Sequence, residues 1–471
     1  MISRASVLRL GLSVLVMCLG VSGSDRVRAE NAAAQLQAGI AAVEIVMPEG
    51  APLGGYGSGD RRLKKPNLKF RKNPNHIMFA PHTGTRDSIR AKALLIKSGD
   101  KKLLFIGIDL VGANLELWQA VVEHLQPRGY DRNEIFVSAT HTHSGPGALS
   151  KNIFWAAIAL DFFQKKAYDA FMGSIYSAID QAEANLRPAE IRFTSFDVNG
   201  ISHNRRRDEA GVDPTARVFW IRDQESGKFM GSMVNYAIHG VALDDDNLAY
   251  SSDVPGGIER AIEDRLAAAN GSGSRPVTIF INGAEGDISP NAFRDEGIRS
   301  IGKTFGDTAL EHVGEGRVLP GDWTVDTTEV QFGKPGLNIH ACADNMRPDK
   351  ENKAISWIGK NAAIGVGAFF PDNARLWSIS WGGLRMMTWP GEPINELGRR
   401  LRKLATDDGA TDSLVMGLTN GHLAYFLTPE EFELAGYEAC VNLFGPQGGI
   451  QVLDAYDHLW KSKHPLATST Q

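Results

Sequence analysis

Six apolar, β-rich runs in this chain each stop at a cluster of polar residues, with helical patterns between them. "KALLIKSGDKKLLFIGIDL" reads as a hairpin that turns at Ser98-Gly99-Asp100 and ends near Asp109. "EIFVSAT" ends at His141, and "ARVFWIRDQESGKFMGSMVNYAIHG" is a second hairpin ending at His239. "PVTIFINGAEGDISPN" leaves its strand at Asn282 and reaches Asp287 and Ser289. "RLWSISWGGLRMMTWPGEP" ends at Glu392, and "SLVMGLTNGHLAY" ends near Tyr425. Helices are expected in "LELWQAVVEHL", "YDAFMGSIYSAIDQAEANL", "GGIERAIEDRLAAA" and "INELGRRLRKLA". Strands interleaved with helices and hairpins predict an α/β fold, a layered mixed β-sheet with flanking helices. Loops beyond strand ends gather ligands in such folds, so a metal site is expected at those loops.

Residues 1–29 read as an export signal. Arg4 and Arg9 precede "LGLSVLVMCLGV", which is too short for a comfortable membrane span, and "VRA" ends at Ala29 as a cleavage site. The expected mature chain, 30–471, is a single catalytic domain in the periplasm or outside the cell, soluble or peripherally attached to a membrane. It keeps only Cys342 and Cys440, whose spacing leaves their pairing open. A net charge of −5 and a pI of about 6.2 argue against a nucleic-acid partner. One local excess, seven Lys/Arg from Arg61 to Lys72, reads as a solvated basic loop or as a patch for an anionic membrane.

The polar clusters carry the chemistry. His141 and His143 alternate at a strand end, so both imidazoles can face one pocket, and a neutral imidazole nitrogen suits Zn²⁺. Ser144-Gly145-Pro146-Gly147 then lets the backbone approach a ligand. His239 ends another strand, and the acidic stretch after it reads either as a solvent loop with Asx turns or as one that makes Asp253 a partner of a histidine. Pro393 biases Glu392 away from helical geometry, which puts its carboxylate at a helix entrance as a metal ligand. Glu396 is left to complement the helix dipole. The Gly-rich strand-end loop around Ser289 reads either as a tight Asx-type turn or as an active-site loop in which Ser289 is a nucleophile or a donor to substrate. No G-x-S-x-G elbow or H-E-x-x-H helix is present.

Six ordered motifs, "SATHTHSGPG", "HNRR", "AIHG…SSD", "GDISPN", "PGEPINELGRRLR" and "AYFLTPEEFELAGYE…LFGP", together resemble the neutral/alkaline ceramidases from about Ile40 to Pro446. The resemblance implies one Zn²⁺ per chain held by His141, His239, Glu392 and Tyr425. It places His143 beside the metal and implies catalytic parts for Arg205, Ser289 and Tyr437. It further implies that a zinc-activated water attacks the amide of an N-acyl lipid such as ceramide. His143 and Tyr437 would then move protons or stabilise the oxyanion, and Arg205 would orient the substrate.

The chain departs from that pattern in two places. It ends 25 residues after Pro446, without the immunoglobulin-like domain that usually follows, and "HNRRRDEAG" replaces a more apolar context. Two other readings therefore stay beside the first. One is a hydrolase of esters or small amides on the same scaffold, with Ser289 as nucleophile. The other is a non-catalytic lipid-binding relative.

Overall fold

The expected hairpin forms: β2 (Arg90–Ser98) turns into antiparallel β3 (Lys101–Ile108), and β1 (Gln37–Glu44) pairs with β2 on its other edge. The computed structural model describes residues 35–68, 75–271, 275–345 and 363–463, all within one compact unit that begins at Gln35. The proposed export signal, 1–29, lies outside the described residues, as do positions 69–72 of the basic segment.

β4 (Ile135–Ala139) joins β3 in parallel, and β5 (Arg187–Asp197) joins β1 antiparallel. After the short β6 (Ser202–Asn204), the second expected hairpin forms as β7 (Thr215–Asp223) and β8 (Phe229–Tyr236), with β9 (Val277–Asn282) parallel to β8. The resulting order is β4-β3-β2-β1-β5-β7-β8-β9, a mixed sheet as the hairpins and crossovers predicted. β10 (Ile288–Pro290) pairs with β6, and β11 (Arg317–Val318) adds to β5. The sheet curls until β9 packs against β2, β3 and β4.

A second sheet follows. β12 (Trp323–Gln331) is separated by the small ribbon β13 (Gly336–Asn338) and β14 (Ala363–Gly365) from β15 (Asn373–Trp381) and β16 (Leu384–Thr388). β17 (Glu392–Pro393) comes next, then β18 (Asp412–Met416), which lies parallel to β16, and β19 (Tyr425–Phe426). Trp389, Phe426, Tyr456 and Trp460 belong to a separate apolar core beneath this part of the molecule.

The four expected helices form as Leu115–Leu125, Lys165–Ala184, Asp253–Asn270 and Asn395–Asp407. Lys165–Ala184 covers β1 and β2. Asp253–Asn270 packs between β9 and a further helix, Arg294–Glu311. Cys342 and Cys440 are joined in a disulfide across a sequence separation of 98, which ties the helix Ile339–Asn345 to the segment carrying Tyr437. Among the described residues no helix is long and apolar enough to cross a membrane.

Arg61 corrects the reading of the basic segment. It is buried, with its guanidinium donating to the His143 carbonyl and the Ser144 hydroxyl. Arg62 donates to the Ala157 carbonyl and lies over the Phe79 ring. A guanidinium offered backbone acceptors joins the fold, and of the described basic residues in this segment Lys64 and Lys65 are the exposed ones.

Candidate functional site

Asn282, the last residue of β9, joins the loops after β4 and β8. Its Nδ2 donates to the Thr140 carbonyl (3.1 Å) and the Ile238 carbonyl (2.9 Å), and its Oδ1 accepts from the Ile238 N–H (3.1 Å). The His143 N–H then donates to the Gly240 carbonyl at 2.9 Å. This approach requires glycine, because a Cβ on residue 240 would lie 2.8 Å from the His141 carbonyl oxygen. His141 turns through φ 67°, a left-handed conformation that costs a non-glycine residue on the order of 1 kcal/mol or more and is typical of functional sites.

That frame brings the histidines together. The rings of His141 and His239 lie 4.6 Å apart, and His143 Nε2 is 3.3 Å from His141 Nε2. Glu392 and Tyr425 arrive from the second sheet region: β17 pairs in parallel with β19, Glu392 directly opposite Tyr425. Glu392 sits in this two-residue strand just ahead of the helix Asn395–Asp407, as its place before Pro393 suggested. Glu396 ion-pairs with Arg399 and Arg400 in the first turns.

The protonation pattern is set by the surroundings. His141 Nδ1 faces the Val111 carbonyl at 2.5 Å, and His239 Nδ1 faces the Ile288 carbonyl at 3.1 Å. A carbonyl only accepts, so both Nδ1 atoms carry the hydrogen, and a neutral ring then has a bare Nε2. Burial, reinforced by Arg205 and His141, lowers His239 to about 3 and keeps it neutral. Both Nε2 atoms converge on Glu392 Oε2, at 3.1 Å from His141 and 3.5 Å from His239. Burial opposes ionisation of Glu392, yet its carboxyl lies well below the usual carboxylate range, with the His422 N–H on Oε1 among the groups that favour the charge. Oε2 is buried without an aligned hydrogen-bond donor. Tyr425 OH is 3.3 Å from His239 Nε2. Ligands of a tetrahedral ion at about 2.0–2.1 Å would be separated by roughly 3.3 Å, so this donor set fits a divalent cation. His141, His143 and His239 form one group close enough to hold an ion; His141, Glu285 and Glu392 form another.

The remaining predicted residues divide. Arg205 lines the cavity and donates to Tyr425 OH (3.1 Å), the Gly286 carbonyl (2.9 Å) and Glu438 (2.8 Å). Tyr437 packs its ring against Tyr425 at 5.6 Å. Although its side chain is 48% exposed, burial of the phenol and the Glu392 charge push it up to about 12. Burial, and then Glu392, push the Tyr425 phenol well above its usual value. Ser289 lies on β10 opposite His203, is buried, and does not line the cavity. What this strand delivers to the site is the neighbouring Ile288 carbonyl.

Of the two readings of the acidic stretch, Asp253 does not take the histidine one. It binds no histidine and instead accepts the backbone N–H groups of Ala242, Leu243 and Val254, holding the loop after His239. Burial outweighs those donors and raises its carboxyl from 3.8 to about 6. An acid whose folded pKa is raised contributes stability that is fully present below its unfolded pKa and lost as pH rises through its folded one. Urea unfolding should therefore show a loss of stability between about pH 4 and pH 6–7, and Asp253→Asn should flatten it.

Three functional positions escaped the sequence. His422 Nε2 donates to Glu392 Oε1 at 2.9 Å. Glu285 is buried with neither carboxylate oxygen hydrogen-bonded, and burial together with Glu392 pushes it well above its usual value. Asn282 is the buried tie described above. Nothing in "TNGHLAY" or "NGAEGD" separates these residues from turn formers, since their partners lie far away in sequence.

Above the histidines opens a cavity of about 910 Å³. Trp155, Ile158, Leu160, Val241 and Phe293 give it an apolar wall, opposite the polar floor of His141, His143, Glu392 and Tyr425. Such a shape suits a ligand with a hydrocarbon part and one polar reacting group.

Known proteins resemble this chain in sequence and in fold. Residues 80–300 match the family described as neutral/alkaline non-lysosomal ceramidase, N-terminal. A neutral ceramidase of Mycobacterium tuberculosis is 24% identical over 445 residues, covering 77% of this chain and 69% of that protein. One from Pseudomonas aeruginosa is 27% identical over 217 residues, which are 43% of this chain and only 32% of that protein. The crystal structure of neutral ceramidase from Pseudomonas aeruginosa shares the fold, with a TM-score of 0.74 at 20% identity over 91% of this chain and 74% of that one.

Proposed function

We propose that the chain is a member of the neutral/alkaline ceramidase family and acts as an exported, zinc-dependent amidohydrolase. Its substrate is ceramide or a related N-acyl lipid, cleaved to a fatty acid and an amine such as sphingosine. The observation that carries this reading is Glu392 Oε2, buried without a donor and faced by two imidazole Nε2 atoms at 3.1 and 3.5 Å. His141, His239, Glu392 and Tyr425 would hold the zinc. When bound, the ion would supply Lewis-acid polarisation of the amide carbonyl and acidify a water molecule.

The chain's own residues do the rest. Burial, with His141 and His239 beside it, keeps the His143 imidazole neutral and able to take a proton from the attacking water. Passing that proton to the amide nitrogen releases the amine as the C–N bond breaks and the water oxygen stays on the acyl carbon. Tyr437 keeps its hydrogen and can donate it to the oxygen on which charge develops, a contribution of about 10²-fold or more. Arg205 fixes the Tyr425 oxygen and presents a charge to polar substrate groups. Ser289 is assigned a supporting place, because its strand orients His239 through the Ile288 carbonyl. The apolar wall receives a hydrocarbon chain, and a ceramidase complexed with C2 has the same fold at a TM-score of 0.74.

Export fits the Cys342–Cys440 disulfide, because such bonds persist in oxidising compartments. Among the described residues of the basic segment, peripheral contact with a lipid surface falls to Lys64 and Lys65, since Arg61 and Arg62 are engaged in the fold. The test is turnover of N-acylsphingosine by the purified protein. Sphingosine and fatty acid should appear in equal amounts, a chelator should stop the reaction, and zinc should restore it. Absence of turnover on any N-acyl lipid by zinc-loaded protein would overturn the assignment.

A further inference from the structure

We propose that His422 is a positioning residue for the metal, gripping one carboxylate oxygen of Glu392 so that the other faces His141 and His239. The proposal rests on the reading of His141, His239, Glu392 and Tyr425 as a ligand set.

His422 Nε2 meets Glu392 Oε1 at 2.9 Å, while the imidazoles of His141 and His239 meet Oε2. The two oxygens therefore have different tasks. A glutamate with free side-chain rotors loses rotamer freedom when it binds an ion, and a charge-assisted N–H···O bond removes that freedom in advance. His422 is itself no candidate ligand, as it belongs to neither group of side chains close enough to hold an ion.

The grip has its own support. The His422 ring stacks on Trp155 at 5.2 Å and 13°. On another side it packs against the bare backbone of Gly112, where a Cβ would lie 2.5 Å from His422 Nδ1. Two residues earlier, Asn420 is pinned to β4, accepting from the Val137 N–H at 2.8 Å and donating to the Ile135 carbonyl at 3.1 Å. β4 is the strand that leads into His141, and Gly112 follows Val111, whose carbonyl holds the His141 ring. One frame thus sets His141 directly and Glu392 through His422.

The experiment measures zinc affinity by competition with a chromophoric chelator, using the full mature chain. His422→Phe keeps the ring and its stacking but has no donor, and it should weaken zinc about 10–100-fold. His422→Gln keeps an N–H at similar reach and should stay within about threefold of wild type. Metal-free wild type and variants should melt together, which a purely structural role for His422 would not allow. If His422→Phe does not fold, His422→Gln must still retain zinc while His422→Ala loses it. Affinity of His422→Phe, or of His422→Ala in its place, within about twofold of wild type overturns the proposal. A wild-type protein that binds no zinc overturns the ligand set, and the role of His422 with it.

Discussion

His141→Ala and Glu392→Gln should each leave a folded protein without its metal and lower kcat/KM on an N-acyl lipid by at least about 10³-fold. His141 supplies a bare Nε2 because the Val111 carbonyl holds its other nitrogen protonated. Alanine removes that donor and leaves Glu392 Oε2 facing one imidazole instead of two. Glutamine at 392 nearly conserves shape but removes the charge, so a divalent cation would sit among neutral groups in a buried site. Elemental analysis of dialysed protein, beside turnover, reads both effects. Ser289→Ala is the informative companion and should keep its zinc, since Ser289 lies outside the cavity lining. Loss of all activity in Ser289→Ala with zinc retained would favour the acyl-transfer reading, and full activity in His141→Ala would remove the metal from the mechanism.

What the sequence could say followed from how local each feature is. The strand ends at His141 and His239 were legible because an apolar run stopping at a polar residue is a short-range signal, and both hairpins followed from their turns. Glu392 was partly legible through Pro393, whereas Tyr425 and Tyr437 look like core aromatics and only the resemblance to a family singled them out. The curl of the sheet was not legible, and it is the curl that brings β4 and β9 together so that Asn282 can bind the peptide after Thr140. Arg61 misled for the same reason: in sequence it opens a run of positive charge, while its acceptors, the His143 carbonyl and the Ser144 hydroxyl, lie more than eighty positions away. The sequence left Asp253 open between a loop turn and a histidine, and the nearer need was the backbone of its own loop.

Lys92→Met should destabilise the fold by about 3–5 kcal/mol, because it leaves buried carboxylates without their cation. Lys92 is fully buried in β2 among Ala91, Ala93 and Leu94, where the apolar pattern gives no reason for a charge. Its Nζ lies 2.9 Å from Asp109 Oδ1 and 2.7 Å from both oxygens of Glu259, which comes from the helix Asp253–Asn270. Arg90 adds an ion pair to Glu259 at 3.0 Å. Burial raises the Asp109 carboxyl, with Lys92 opposing and Glu259 adding to it, so removing Lys92 sets two carboxylates against each other. The loss should be largest near neutral pH and shrink on acidification, as a proton on either acid removes the uncompensated charge. Lys92→Met combined with Glu259→Gln should recover part of it. The effect should also reach the site. Asp109 begins the segment whose next two carbonyls, Leu110 and Val111, receive the His141 N–H (3.0 Å) and its ring Nδ1–H (2.5 Å). Urea titrations of the three proteins at two pH values, with zinc affinity measured on each, test both halves. A Lys92→Met protein within about 1 kcal/mol of wild type at neutral pH would show that this buried cation is dispensable.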